Sequence, residues 1–321
     1  MILTGTLLPI NNSKYWFIRA QINFRAYYLI INLLLVFLYL LISPYNLLFF
    51  LITSAHLFCI ALCIHSIYPY SFLSKKTIAS AKPSDSGSKL KLLIFNVYQE
   101  NTEYDRFIQL VKKDAPDIIL LLEPGTEWYR KAAYLEEEYP YTLKEIKDDT
   151  YGIWYMSKLK FTDGKINHLV KNDIPSVEAH YSLKGTAISV YGLHPEPPLP
   201  GEALSSKPKD KELITTALKI KETKSRSLSI VVGDLNDVGW SKTNKQFRKI
   251  SGLRDPREGR GIFATFPTYL PFRIPIDNIF CHPSIKLLKL ERLENIGSDH
   301  FPILVQLLIP EHDKETDSEQ S

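Results

Sequence analysis

The sequence predicts an α/β domain that follows an N-terminal transmembrane helical hairpin. The hairpin is indicated by the absence of Asp, Glu, Lys and Arg between Arg25 and Lys75, a segment made mostly of Leu, Ile, Phe, Tyr and Val. The α/β domain is indicated by residues 89–310, where short apolar runs alternate with helix-like segments. The chain has 321 residues, of which 45% are hydrophobic, so it is long enough for one large core or two modest ones.

Charge and cysteine content argue against two classes of protein. The net charge of +4 is mild and does not indicate the concentrated basic face of an obvious nucleic-acid binder. The three cysteines, Cys59, Cys63 and Cys281, show no paired ligand spacing and cannot form a closed disulfide framework. We therefore expect neither a disulfide-stabilised fold nor a metal site built from thiolates.

The membrane anchor is predicted over residues 1–73, with spans near 27–43 and 46–67. At a rise of ~1.5 Å per residue, this apolar stretch suffices for two crossings of a ~30 Å hydrocarbon core. Pro44 ends the first helix, and Asn46 tolerates the tight bend that follows. A cleaved signal peptide is a poorer interpretation because the apolar stretch is too long and begins too late. We therefore expect an integral membrane protein with the lipid bilayer as a partner.

The side of the membrane on which the domain lies depends on the number of spans. Basic residues flank both ends of the apolar stretch, and with two spans this bias places both ends in the cytoplasm. A third crossing that included the apolar opening "MILTGTLLPI" would reverse the side of the domain. The basic residues are Lys14, Arg19 and Arg25 before the spans and Lys75, Lys76, Lys82, Lys89 and Lys91 after them.

Two further segments flank the predicted domain. Residues 74–88, "SKKTIASAKPSDSGS", are rich in Ser and other small residues, a composition typical of a linker. Residues 311–321 are polar and are predicted to be disordered.

Within residues 89–310, periodicity predicts seven strands and four helices. In the third helix, Leu213, Ile214, Ala217 and Leu218 make one apolar face, as a helix that covers a sheet requires. The predicted strands are 90–97, 117–124, 152–157, 186–194, 228–236, 275–282 and 301–309, and the predicted helices are 103–115, 126–139, 210–225 and 242–251.

Polar side chains stand at the boundaries of most of these strands. Functional sites in α/β proteins assemble at such strand ends. Taken singly, each residue has a structural explanation as a turn, loop or surface group. Their combination and order favour one shared site. The residues are Asn96, Glu123, His194, Asp234, Asn236, Asp277, Asp299 and His300.

The motifs that contain these residues resemble the endonuclease/exonuclease/phosphatase superfamily, in particular its deoxyribonuclease-like and sphingomyelinase-like members. The resemblance spans residues 90–309, with "IFNV", "LLEP", "YGLHP", "VVGDLND", "IDNIF" and "GSDHFP" in family order. The segments "GDLNDVGWS", "GLRDPREGRG" and "RIPIDNIF" are similar to a bacterial membrane-anchored branch, which implies the bacterial cytoplasmic membrane. The resemblance implies a four-layered α/β sandwich, with two facing mixed sheets and outer helices, and Mg²⁺ or Mn²⁺ in the cleft.

The resemblance also implies roles for the strand-end residues. Glu123 would be the main metal ligand, with Asn96 beside it and Asp299 as a second ligand. Asp234 would orient or deprotonate the attacking water, and Asn236 would hold a phosphate oxygen or the nucleophile. Charge on the phosphoryl group would be stabilised by His194 and His300, the latter supported by Asp277. Tyr98 stands where some nucleases carry an acidic residue, which favours a single metal centred on Glu123.

The motifs leave the substrate open. Residues 242–260 are rich in Lys and Arg, and we expect Arg260 and Arg273 to contact a phosphate of the substrate. We expect a monomeric phosphodiesterase of the nuclease type. The alternatives are a hydrolase of phospholipids or phosphomonoesters and, third, a non-catalytic binding module that keeps the fold.

Overall fold

Two β-sheets lie face to face in the computed structural model, which describes residues 2–10, 15–197, 207–223 and 226–311. Most of the tail that was predicted to be disordered, 312–321, lies outside the described residues. The strands are β1 (Ser88–Asn96), β2 (Ile118–Leu122), β3 (Tyr141–Glu145), β4 (Ile153–Ser157), β5 (Asp163–Asn167), β6 (Ser176–Leu183), β7 (Thr186–Gly192), β8 (Leu228–Asp234), β9 (Asp277–Cys281), β10 (Lys286–Arg292) and β11 (Ile303–Ile309).

Helices precede the sheets and cover their outer faces. One sheet has the strand order β10-β11-β1-β2-β4-β3 and the other β5-β6-β7-β8-β9, and both combine parallel with antiparallel neighbours. The helices are α1 (Ile2–Leu7), α2 (Trp16–Ala20), α3 (Arg25–Ile42), α4 (Leu47–Ile67), α5 (Tyr104–Asp114), α6 (Thr126–Ala132), α7 (Lys207–Thr223) and α8 (Lys242–Ser251).

The alternation of side chains along β1 shows how the layers are built. Leu92 and Ile94 face the second sheet and join a buried cluster that includes Val190 of β7. Leu93 and Phe95 face the other way and join a cluster with residues of α5 and α6. Since successive strand residues point to opposite faces, apolar residues at every position indicate a sheet covered on both sides. With α7 and α8 packed on the second sheet, the molecule has four layers, which confirms the predicted fold class.

Strand register brings the predicted polar residues to one end of the sandwich. β1 and β2 are parallel, with Asn96 opposite Leu122, so that Glu123 emerges beside Asn96. β8 and β9 are antiparallel, with Asp234 opposite Asp277. The carboxyl ends of β1, β2, β7 and β8 therefore meet the start of β9 and the loop before β11.

The N-terminal helices α3 and α4 form an apolar hairpin. Helical segments at Phe17–Ile42 and Leu47–Tyr70 are long and apolar enough to cross a membrane. The side chain of Asn46 caps α4 by accepting a hydrogen bond from the Phe49 N–H at 2.9 Å. The helices begin and end within two residues of the predicted spans, while their insertion in a membrane stays a prediction.

A small apolar cluster joins the hairpin to the domain. Tyr70, just after α4, packs edge-on against Trp240 with ring centroids 5.3 Å apart, and its hydroxyl donates to Asp255 Oδ2 at 3.0 Å. Ile276 completes the buried cluster on the domain side, and Ile22 packs against it from the segment before α3. The hairpin and the domain thus share a core.

Four strands escaped the sequence-based prediction. Three of them, β3, β5 and β10, are the outermost strands of their sheets and carry many charged or polar residues, as edge strands commonly do. The fourth, β6, contains the buried Glu178, whose charge is satisfied by partners such as Lys219. The helix predicted over 126–139 ends at Ala132 and continues as a tighter 3₁₀ turn, Ala133–Glu137.

The predicted linker lies packed against the domain. Ile78 is fully buried in the core between the sheets. Ala81 N–H donates to the Leu287 carbonyl, and Leu287 N–H donates to the Ala79 carbonyl, both at 2.8 Å. This part of the segment therefore runs along β10 as an added edge.

Glu212 on α7 gives a prediction about stability. Its side chain is buried, and Oε1 has no hydrogen-bond partner among the described residues. Burial raises the pKa of Glu212 from 4.5 to about 8. Between these values the folded chain keeps a proton that the unfolded chain releases, so stability falls as pH rises. We expect Glu212→Gln to abolish this loss. At pH 9 the free energy of unfolding of this variant should exceed that of the wild type by more than about 1 kcal/mol.

Denaturant unfolding of the full chain at pH 5 and pH 9 measures this effect. Glu222→Gln, which changes an exposed carboxylate on the same helix, is the matched control. Equal pH dependence in the wild type and Glu212→Gln would contradict the assignment of the proton to Glu212.

Candidate active site

The ends of the strands enclose one cleft of about 670 Å³. Six of the ten predicted site residues line it, and two more, Asn96 and Asp277, are buried and bonded to lining residues. The six are Glu123, His194, Asp234, Asn236, Asp299 and His300.

Asn96 links two carboxylates at the floor of this cleft. Its Nδ2 donates to Glu123 Oε1 at 2.8 Å and lies 3.3 Å from Asp234 Oδ2. Its Oδ1 accepts a hydrogen bond from the Tyr98 N–H at 3.1 Å. The amide thus holds together carboxylates from the two facing sheets.

His300 forms a buried pair with Asp277. Nδ1 lies 2.8 Å from Asp277 Oδ2, and Nε2 lies 3.5 Å from Asp234 Oδ2. Burial by itself would lower the pKa of His300, but the nearby carboxylates of Asp277 and Asp234 outweigh it and raise the pKa to about 10. At neutral pH this imidazole is therefore a cation.

His194 has the opposite character. Its Nε2 lies 3.6 Å from Glu123 Oε1, and its buried Nδ1 has no partner among the residues that the structure describes. Burial lowers the pKa of His194 to about 4, and the positive charge of His300 acts in the same direction. The two histidines therefore differ: one is a cation, the other a neutral hydrogen-bonding group.

Glu123, Asp234 and Asp299 have too little positive charge around them to keep their pKa values in the ordinary range of a carboxyl group. Burial raises the pKa of Glu123 and that of Asp234 to about 7, although Asn96 and His300 partly counteract it in both cases. Burial also raises the pKa of Asp299. Hard carboxylate oxygens gathered in this way fit a cation such as Mg²⁺ or Mn²⁺.

Asp234, Asp277 and His300 form a second group that could hold a metal, with ligand atoms within 4.8 Å of one another. The hydrogen bond between His300 and Asp277 already occupies one ligand atom of each. We therefore favour the carboxylates around Glu123 as the metal-binding group.

The backbone at the strand ends adopts unusual conformations. Glu123 and Asn236 have φ angles of 61° and 51°, which non-glycine residues seldom adopt. Asn236 is held by its N–H to Asp234 Oδ1 at 2.9 Å and by its Nδ2 to the Pro195 carbonyl at 3.0 Å. Gly233 has φ of 143°, and a side chain there would collide with the Leu193 carbonyl oxygen. The "GDLN" motif thus needs its glycine.

Residues 93–300 match the sequence model of the Endonuclease/Exonuclease/phosphatase family. The chain belongs to this family. Its members are hydrolases that act on phosphoesters. The match confirms the resemblance of the motifs, while the membrane-anchored branch stays a prediction.

Solved structures show the same fold at low sequence identity. A family protein from Bacteroides thetaiotaomicron is 18% identical, with a TM-score of 0.58 over 70% of this chain and 99% of that chain. TDP2 of D. rerio, complexed with a single-strand DNA product, is 18% identical, with a TM-score of 0.56 over 68% of this chain and 99% of that chain. A mannosyl-6-phosphatase from Bacteroides thetaiotaomicron is 18% identical, with a TM-score of 0.54 over 68% and 100%. No curated protein matches the chain.

Arg260 and Arg273, which were predicted to contact a phosphate of the substrate, are not among the residues that line the cleft. Arg260 donates to the carbonyls of Pro256 and Ile78 and to Ser80 Oγ, which places it against the packed linker. The guanidinium of Arg273 lies over the Phe301 ring at 4.9 Å. Some of the basic residues in 242–260 stabilise the fold, since Arg248 and Arg257 form ion pairs within that segment.

Other residues of the cleft were not anticipated. Ser298 Oγ donates to the Asn96 carbonyl at 2.7 Å and accepts from the His300 N–H at 2.9 Å, so it fixes the loop that carries His300. Its position within "GSDHFP" was the available signal. Lys209 and the segment before α3, including Ile22, also line the cleft, and no local sequence pattern marks them.

Proposed function

We propose that this chain is a membrane-anchored, divalent-metal-dependent phosphoesterase that cleaves phosphodiesters with water. The observation that carries the proposal is the position of Asp234 between the Asn96–Glu123 pair and the His300–Asp277 pair. In this arrangement Asp234 would accept a proton beside Glu123, which would bind the metal, and beside the buried His300 cation. The family membership supports phosphoester hydrolysis as the reaction class.

Glu123, with Asp299 and Asn96, would hold Mg²⁺ or Mn²⁺. Asn96 fixes the Glu123 carboxylate through its amide N–H, and Oδ1 is the atom that it would offer to a metal. When bound, the metal supplies positive charge that stabilises the phosphoryl oxygens of the transition state.

The other residues act on the nucleophile and on the phosphoryl group. Asp234 orients the attacking water and accepts its proton. Asn236 and neutral His194 hold phosphoryl oxygens, and the His300 imidazolium, fixed by Asp277, stabilises the negative charge that develops there. The P–O bond to the leaving oxygen breaks as the bond from water forms, and that oxygen takes a proton from solvent to become the alcohol.

The diester class and the membrane anchor rest on separate observations. A protein of the same fold, TDP2 of D. rerio, is seen with a single-strand DNA product, which supports a phosphodiester as the kind of bond cleaved. The apolar hairpin of α3 and α4 supports anchoring in a bilayer, which we propose to be the bacterial cytoplasmic membrane.

The test is hydrolysis of bis(p-nitrophenyl) phosphate by the full chain in detergent micelles, with Mg²⁺ or Mn²⁺ and with EDTA. We expect metal-dependent turnover that EDTA abolishes. Glu123→Gln should raise the metal concentration for half-maximal rate by at least about 10-fold to 100-fold, the loss caused by changing a residue that only supports a ligand, because a neutral amide binds the cation less strongly. Glu127→Gln, at an exposed site on α6, is the matched control. A folded chain that shows no metal-dependent turnover would contradict the proposal.

A further inference from the structure

The segment that leads into the hairpin forms one wall of the cleft. Arg19, Ile22 and Asn23 line the same cavity as Glu123 and His300. The substrate-binding surface is thus made of two parts that are far apart in sequence, the catalytic domain and the turn before α3.

This wall is fixed to the domain by hydrogen bonds from several side chains. Arg19 pairs with Asp210, and its Nη2 donates to Thr243 Oγ1 at 2.7 Å. Trp240 Nε1 donates to the Ile22 carbonyl at 2.9 Å. Tyr27, in the first turn of α3, donates its hydroxyl to the Arg273 carbonyl at 2.7 Å. These contacts join both ends of the segment to the domain.

The lining of the cleft is polar around the carboxylates and becomes apolar toward this wall. Pro9, Ile22, Phe266, Ile274 and Ile276 give the cavity an apolar side. Of the Lys and Arg side chains in the lining, Arg19 pairs with Asp210 and Lys209 pairs with Asp237 at 2.8 Å, which leaves Lys242. A groove for a nucleic acid strand needs cations that follow the backbone and aromatic faces for the bases. Tyr98 and Tyr151 line the cleft only at its catalytic end, and the wall toward Ile22 is aliphatic apart from Phe266. The combination seen here suits a ligand with a phosphate at one end and hydrocarbon at the other.

Exposed apolar side chains surround the place where the hairpin leaves the domain. Tyr269 and Phe272, on the loop between Phe266 and Ile274, are 73% and 62% exposed. Phe272 contacts Tyr27 of α3 edge-on, with ring centroids 5.3 Å apart. Phe72 and Leu73, just after α4, are 82% and 86% exposed. Exposed apolar side chains beside the start of α3 and just after α4 are typical of a surface that contacts a bilayer.

We propose that the substrate is a membrane phospholipid, taken from the bilayer between the start of α3 and the 269–272 loop. This inference rests on the proposed phosphoesterase function and specifies its substrate class. The phosphodiester reaches Asp234 and His300, and the hydrocarbon stays against Ile22 and Ile274. Water adds to phosphorus and one P–O ester bond breaks, which yields a phosphomonoester and an alcohol.

The experiment uses the full chain in vesicles of a bacterial polar lipid extract that contains phosphatidylethanolamine, phosphatidylglycerol and cardiolipin, with Mg²⁺ or Mn²⁺. Lipid products are measured by mass spectrometry, beside hydrolysis of bis(p-nitrophenyl) phosphate and single-stranded DNA by the same vesicles. We expect lipid hydrolysis. The ratio of lipid to p-nitrophenyl turnover should fall by at least about tenfold in Leu270→Ser/Phe272→Ser, which removes two apolar side chains of the 269–272 loop that are 44% and 62% exposed.

Tyr134→Ser/Leu288→Ser is the matched control, because it removes one aromatic and one aliphatic side chain that are exposed elsewhere on the domain. This variant should keep the wild-type ratio. Turnover of p-nitrophenyl ester or DNA with intact lipids would overturn the lipid inference and leave the phosphoesterase proposal standing. Lipid hydrolysis at an unchanged ratio in the loop variant would overturn the proposed entry route. No turnover of any ester by the folded chain would overturn the phosphoesterase proposal itself.

Discussion

Asp234→Asn is expected to lower kcat for bis(p-nitrophenyl) phosphate by about 10³-fold, in the range that a general base contributes. Asparagine keeps the size of the side chain but cannot accept the proton of the attacking water. Because Asp234 is buried and contacts both Asn96 and His300, the substitution also changes the charge balance of the whole cleft. The measurement is steady-state kinetics of the full chain at saturating Mg²⁺ or Mn²⁺.

The control for Asp234→Asn is Glu212→Gln, a like exchange at another buried carboxyl that does not line the cleft. It should keep the wild-type kcat within about twofold, since replacements remote from the reacting atoms remove no interaction made in the transition state. If Asp234→Asn kept more than about a tenth of the wild-type kcat, the assignment of the general base would be wrong.

His300→Gln is expected to lower kcat by about 10²-fold to 10³-fold with a smaller change in KM, as loss of a fixed charge at the transition state does. The glutamine amide can still donate a hydrogen bond but carries no positive charge. Asp277→Asn should give a smaller loss than His300→Gln, because it leaves the imidazole in place and removes only the partner that holds Nδ1.

Comparison of kcat between His300→Gln and Asp277→Asn tests the roles assigned to the two residues. His180 on β6 offers the matched histidine control, since it hydrogen-bonds Ser189 at 2.8 Å and Glu178 at 3.1 Å and does not line the cleft. His180→Gln should keep the wild-type kcat. An Asp277→Asn variant slower than His300→Gln would contradict the assignment of Asp277 as a residue that acts only by holding His300.

The fold could be predicted largely because apolar runs mark buried strands. β2 and β11 are buried on both faces and are nearly continuous in Leu, Ile and Val, and β1, β7 and β8 are apolar over most of their buried positions. Edge strands give no such signal, because one side meets solvent and charged residues are favoured there. The packed linker gave none either, since Ile78 is its single buried residue and backbone hydrogen bonds to Leu287 hold the residues that follow it.

The site could be predicted to the extent that its residues follow strands. Glu123 and Asp234 each end a recognisable apolar run, and register then brings them together. Arg260 was expected at the cleft from local charge alone, but its guanidinium is bound by backbone carbonyls beside the linker. Ile22 could not be anticipated, because its place in the wall depends on how the hairpin packs against Trp240, which is more than 200 residues away along the chain.

The apolar cluster around Trp240 determines which side chains a chain without its N-terminal segment would expose. A chain limited to residues 89–310 would lose Tyr70 and Ile22, and the indole of Trp240 and the side chain of Ile276 would meet water. Removal of residues 1–88 also opens the cleft on the side that Ile22 and Asn23 form, so such a fragment would accept small esters and lose the contacts that select among substrates. Activity retained by such a fragment would report on the catalytic residues alone, and we expect substrate preference to require the N-terminal segment as well.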